Sequence, residues 1–178
     1  MSINHGGFRK TIVDKNTKCD APGCSSAVKL LKGEQAAVRS MFSEYEKTDD
    51  CKNKEGIVGS ISVALTSYSA LENEIVYPAL KDKESCSTEP CAGSESHHQA
   101  KLILDQLQRL TADIDAPAYD KAVRVLKEIV LKHFADEEKS LFPAIDKCSE
   151  KADELNQKLE AFKADRGFSP SVESLLSK

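Results

Sequence analysis

No stretch of this chain approaches the roughly 18–20 consecutive apolar residues that a helix needs to cross a bilayer, so no membrane association is expected. An excess of one charge is also missing. Across 178 residues, 25 basic and 29 acidic side chains are interleaved for a net charge of −4, and nothing points to nucleic acid as a partner. Met1 to Lys18 is polar, carries Gly6 and Gly7, and lacks the apolar centre of a secretory signal. A cytoplasmic setting is therefore the default, unless the chain is the mature part of a longer precursor. The two-residue alternation of strands does not extend over any long window. No Ser or Cys stands beside a histidine in a recognisable nucleophile motif, which disfavours a nucleophilic hydrolase. What remains is a chain long enough for one domain with a real core.

What the chain does contain is one stretch written twice. Tyr68-Ser-Ala-Leu-Glu72-Asn-Glu74-Ile-Val-Tyr77-Pro78-Ala79-Leu80 aligns without gaps on His133-Phe-Ala-Asp-Glu137-Glu138-Lys-Ser-Leu-Phe142-Pro143-Ala144-Ile145. Each copy places a coordinating-type side chain, a glutamate four residues later, and an aromatic-Pro-Ala-aliphatic stop. Residues four apart share one helix face. Each copy thus aims two polar groups inward beside an apolar stripe, a route to a metal site inside a bundle.

Helical periodicity predicts a first helix from Ser25 or Ser26 to Glu46, with Val28, Leu31, Val38, Met41, Phe42 and Tyr45 at helical spacing. Thr48 to Gly56 reads as a charged turn and Ile57 to Lys83 as a second helix. Ser85 to Ser94, with Pro90 and Gly93, reads as a loop. A third helix is expected over Glu95 to Thr111, with Leu104 and Leu107 inward. Pro117 fits the first turn of a fourth, running to Lys147, and Glu150 to Asp165 forms a fifth, amphipathic one. Pro78 and Pro143 kink or end the second and fourth helices. The expected fold is all-α: an up-down-up-down four-helix bundle with an additional C-terminal helix. Residues 1–18 form a flexible lead, 19–166 the bundle with its extra helix, and 167–178 a loose tail.

In this topology Glu72 and Glu137 lie mid-helix at matched depth. His97, or its neighbour His98, is the inward polar candidate on the third helix; position 97 is preferred because Ala100, Leu104 and Leu107 continue its face. Glu72, His97, His133 and Glu137 then converge from three helices. A buried carboxylate without a partner costs several kcal/mol unless it is protonated, paired or metal-bound. Two imidazoles with two carboxylates suit iron, zinc or manganese. Against this stands the plain reading that such glutamates face water and that a lone helical histidine is usually no ligand.

These residues resemble the hemerythrin-like cation-binding domain, whose helices carry Leu-Leu-x-x-Asp-His, His-x-x-x-Glu with Tyr-Pro, a third-helix His, and His-x-x-x-Glu-Glu with Phe-Pro. The matching positions are Leu30-Leu31-Lys32-Gly33-Glu34-Gln35, Tyr68-x-x-x-Glu72 through Tyr77-Pro78, Ser96-His97, and His133-x-x-x-Glu137-Glu138 through Phe142-Pro143. The resemblance implies a bundle holding two non-haem irons bridged by the second- and fourth-helix carboxylates. Its members bind or sense oxygen or nitric oxide, carry or store metal, or help repair iron centres.

Departures fall at ligand positions. Gln35 and Tyr68 stand where the family has the two histidines of one iron, while His97 and His133 match those of the other. Lys101 occupies the place of a further histidine in oxygen carriers, and its charge would repel a cation unless burial lowered its pKa. Three outcomes follow. One metal sits on His97, His133 and Glu137 with Glu72 as fourth ligand. Alternatively, a rearranged two-metal oxidase recruits Tyr68 as a phenolate with Glu34 or Gln35, Glu138 lying beside the site. Or the site is vestigial, Lys101 pairing with Glu72 or Glu137. The preferred expectation is non-haem metal binding, iron first, for sensing, carriage or handling of oxygen or nitric oxide rather than catalysis or reversible oxygen carriage.

Cys19, Cys24, Cys86, Cys91 and Cys148 fall at one end of this topology and Cys51 at the other. Cys19–Cys24 and Cys86–Cys91 share a Cys-x4-Cys spacing that permits disulfides, a thiolate zinc site, a redox-responsive or partner-binding end, or unrelated loop thiols. Helix rise places this patch about 15–20 Å from the glutamates, out of reach of the bundle centre.

Overall fold

The computed structural model describes residues 25–81, 92–147 and 152–165. All the regular structure among them is helical: α1 (Ser26–Tyr45), α2 (Cys51–Leu71), a π-helical segment (Glu72–Val76), α3 (Tyr77–Lys81), α4 (Ala92–Leu107), α5 (Ala116–Lys139), α6 (Leu141–Lys147) and α7 (Ala152–Asp165). The four long helices α1, α2, α4 and α5 make the expected four-helix bundle. α1 packs on α2 and α5, and α4 packs on α5. α6 and α7 both lie against α1, and α7 also touches the π-helical segment.

Local sequence explains where the helices begin. The Ser25 side chain accepts from the Val28 amide, Asp50 from Asn53 and Asp115 from Ala118, each satisfying a donor the first turn would leave free. Asp50 is why α2 begins at Cys51, six residues before the expected Ile57. Residues 51–56, expected as part of a charged turn, form instead the start of α2, with Lys52, Asn53 and Gly56 exposed and Lys54 paired with Asp120. α4 likewise begins at Ala92, so Ala92, Gly93 and Ser94 are helical rather than loop, and it ends at Leu107 instead of Thr111. The rest of the expected loop, 85–91, lies outside the described residues, as do Cys19, Cys24, Cys86, Cys91 and Cys148.

The two prolines are accommodated differently. A proline ring excludes the carbonyl four residues back and offers no N–H. Ahead of Pro78 the helix widens by one residue, and the Tyr77 amide reaches back five to the Glu72 carbonyl. Such bulges are frequent at functional sites. Ahead of Pro143 the helix breaks at Ser140 (φ −120°, ψ −54°), whose hydroxyl donates to the Asp136 carbonyl at 2.7 Å.

Helical spacing puts Leu31, Phe42, Ile61, Leu71, Leu126 and Phe134 fully inside. Each such side chain is worth about 1.5–3 kcal/mol of burial. Polar ties hold both ends of the bundle. The Ser25 amide donates to Asp146 Oδ1 at 2.9 Å. At the far end, Asp120 accepts from Tyr45 Oη at 2.6 Å and Lys54 Nζ at 2.9 Å, joining α1, α2 and α5. The expected fifth helix is present as α7, burying Leu155, Leu159 and Phe162. No helix among the described residues is long and apolar enough to cross a membrane.

Candidate metal centre

Midway along the bundle the apolar stripes give way to polar side chains: Glu34 and Gln35 from α1, Glu72 opening the π-helical segment, and His133 and Glu137 from α5, all buried. From α4, His97 reaches in from the helix edge and remains partly exposed. The expected set therefore meets. His97 Nε2 lies 2.9 Å from Glu72 Oε2 and 3.0 Å from His133 Nε2. His133 Nε2 lies 3.6 Å from Glu72 Oε2 and 3.0 Å from Glu137 Oε1. His98 is exposed, so position 97 is the inward one.

Glu72, His97 and His133 each offer one ligand-type atom, all within 4.8 Å of one another. Donors that share one ion at roughly 2.0–2.1 Å from each stand about 3 Å apart, the spacing found here. Hydrogen bonding alone satisfies the cluster badly. Two imidazole nitrogens face each other, so at most one N–H lies between them. Both Glu72 oxygens and Glu137 Oε1 are buried without a well-directed donor, a costly arrangement for a carboxylate. These residues fit one cation.

The electrostatics agree. Burial opposes the charge on His133, but hydrogen bonds with Glu137 and Glu72 and their negative charge outweigh it and raise its pKa to about 10. Burial and the adjacent Glu72 push Glu137 upward. Burial also works against Glu72, yet its close polar contacts with Glu137, His133 and His97 hold its carboxyl below the usual range.

The half of the site that has lost its histidines is closed by hydrogen bonds. Gln35 Nε2 donates to Glu137 Oε2 at 2.6 Å and to Tyr68 Oη at 3.1 Å, and Tyr68 Oη donates to the same carboxylate oxygen at 2.9 Å. The carboxylate can only accept, so the amide's NH2 must face it. Burial, then the charges of Glu137 and Glu72, hold the Tyr68 hydroxyl well above its ordinary pKa, which keeps it a neutral donor rather than a phenolate.

Three outlying candidates go elsewhere. Lys101 is 71% exposed and pairs with Asp105 at 3.2 Å. The inward face of α4 runs through Ala100 and Leu104, leaving position 101 to water, so the vestigial pairing of Lys101 with Glu72 or Glu137 does not occur. Glu138 points out of the bundle to Arg39 at 2.8 Å. Glu34 is buried but turns to Lys163 of α7 at 2.7 Å, because α7 covers that flank.

Sequence reasoning missed three contributors. Ser69 Oγ lies 2.9 Å from His97 Nδ1; donation from Nδ1–H to this hydroxyl leaves Nε2 as the free lone pair, the tautomer a ligand needs. Its signal was its place one turn before Glu72. Tyr77 is the second, its hydroxyl pushed up by burial and by the charges of Glu72 and Glu137. Lys163 gave no signal, since its pairing depends on where α7 docks.

Two stretches, residues 26–145 and 94–169, match the family described as the hemerythrin HHE cation binding domain. The chain belongs to that family. It is also similar to a DNA nickase from Nostoc sp. (strain PCC 7120 / SAG 25.82 / UTEX 2576), 26% identical over 117 residues, or 65% of this chain. The chain spans about a third (32%) of that relative's length. No solved structure matches it.

Proposed function

We propose that this HHE domain holds a single non-haem cation, iron by preference, on His97 Nε2, His133 Nε2 and Glu72, with Glu137 Oε1 as a fourth ligand. One observation carries the reading: two imidazole nitrogens and a buried carboxylate oxygen converge to 2.9–3.6 Å without hydrogens enough to satisfy them. Bound iron would supply a Lewis-acidic, redox-capable centre for a small ligand such as oxygen or nitric oxide. Ser69 fixes the His97 ring, and Glu137 links the ion to the Gln35–Tyr68 pair. The role is sensing, carriage or small-molecule handling in the cytoplasm. A two-metal oxidase with Tyr68 as ligand is disfavoured, because that hydroxyl is engaged as a donor. The nicking activity named for the relative is not assigned to this chain.

Elemental analysis of protein purified without chelator tests this. One equivalent, lost in His133→Ala, is the expected result. Two equivalents, or none in a folded protein offered iron, zinc and manganese, would refute it.

A further inference from the structure

A cavity of about 350 Å³ opens between α2, α4 and α5 and ends at His97 and His133. A diatomic gas needs little more than the roughly 30 Å³ share of one water, whereas cavities from about 300 Å³ upward hold organic ligands. Its lining mixes two kinds of side chain. Ser62, Thr66 and Ser69, spaced four and three apart, bring hydroxyls from α2, while the half-buried Leu65 and Ile129, with Leu104, bring apolar surface. Among the described residues that line it, the lysine, Lys101, is already paired with Asp105, so these residues give the entrance no net attraction for an anion.

We propose that this cavity binds a small hydroxylated aromatic, a phenol or catechol, its ring against Leu65, Leu104 and Ile129 and a hydroxyl directed to the His97 and His133 end. The apolar side chains match the ring, the hydroxyl stripe matches its polar edge, and the neutral mouth favours it over a carboxylate of equal size. What the hydroxyl meets at the inner end rests on the cation reading above; the walls do not.

The test is an absorption titration with 4-nitrocatechol at mildly acidic pH, where this probe is uncharged and benzoate is not, on chelator-treated and on iron-loaded protein, with metal content measured alongside. Saturable one-to-one binding is expected in both forms, tighter in the loaded one, with benzoate a poor competitor. Leu104→Trp should fill the cavity and weaken binding at least tenfold. Should it fail to fold, Thr66→Trp, at an exposed position on the mouth, should do the same with an unchanged melting temperature. A chain that holds no ion yet binds the probe in this variant-sensitive way keeps this inference and sinks the cation reading. One that holds an ion but binds no probe does the reverse. Unaltered affinity in both variants, or benzoate bound as tightly as 4-nitrocatechol, overturns the proposal.

Discussion

Replacing Tyr68 with phenylalanine separates a one-ion site from a two-ion site. The ring sits edge-on to Phe134 with centroids 5.5 Å apart, and that packing survives the change. What is lost is the donation from Oη to Glu137 Oε2 at 2.9 Å; among the described residues Gln35, at 2.6 Å, remains to donate to that oxygen. A hydrogen bond to a charged acceptor is worth about 1.5–3 kcal/mol, and the space vacated is too small and enclosed to admit water at no cost. We therefore expect a loss of about 2 kcal/mol, which for a chain of this size lowers the melting temperature by roughly 4–8 °C. Metal stoichiometry should stay at one, since His97, His133 and Glu72 are untouched. Calorimetry and elemental analysis on the same preparation read both quantities. If Tyr68→Phe loses its metal while melting as before, Tyr68 is a ligand and the closed-half account is wrong.

Other consequences are as direct. Glu72→Gln keeps the shape but removes the charge shared by both imidazoles, and should lower metal affinity at least tenfold in a competition titration. Lys163→Met strands the buried Glu34 carboxylate; because Lys163 is itself part-exposed, the cost should be about 1–2 kcal/mol, read as a lower denaturant midpoint. Lys101→Met, by contrast, should change neither metal content nor stability measurably, as its partner is an exposed neighbour on the same helix. In metal-free protein the folded-state pKa of His133, raised to about 10, makes a contribution fully present below its unfolded value near 6.5 and lost as pH climbs through about 10. Glu137, raised to about 8 from 4.5, adds loss in the same direction over that lower range, so stability should fall with rising pH from about 4.5 to about 10 by at most about 1.4 kcal/mol per pH unit for each proton. An ion takes the place of the His133 proton, so binding at neutral pH should release at least one proton. Calorimetric heats that do not vary with buffer ionisation enthalpy would contradict this.

The duplicated motif made much of this legible. Its period located Glu72 and Glu137 at one depth, and helical spacing fixed the inward faces of α1, α4 and α5. Periodicity could not see the bulge at Glu72–Val76, because one extra residue in a turn leaves no mark on a pattern of apolar residues. The cap at Asp50 was outweighed by the charge of the residues after it. The resemblance places Lys101 at the site, four residues beyond His97, but that is the same face only for a side chain near its centre, and His97 stands at the edge. The Glu34–Lys163 pair links residues from distant parts of the chain, and only the docking of α7 brings them together.

Gln35 and Tyr68 are better understood as a pair than as two losses. Glu137 cannot leave the interior, because His133 one turn earlier and Glu72 opposite fix its position. Its Oε1 faces the imidazole side, so Oε2 is directed into the half without histidines, where it needs either a cation or donors. Gln35 supplies one donor and Tyr68 the other, and the two also bond to each other at 3.1 Å. Removing either leaves the second donor less well placed and the oxygen half satisfied, so the two changes should not be additive. A double-mutant cycle of Gln35→Leu and Tyr68→Phe should show a coupling energy of about 0.5–3 kcal/mol, with metal still bound at one equivalent. Additive effects within about 0.5 kcal/mol would mean that the pair is not acting as one closure, and that water or a second ion occupies this half instead.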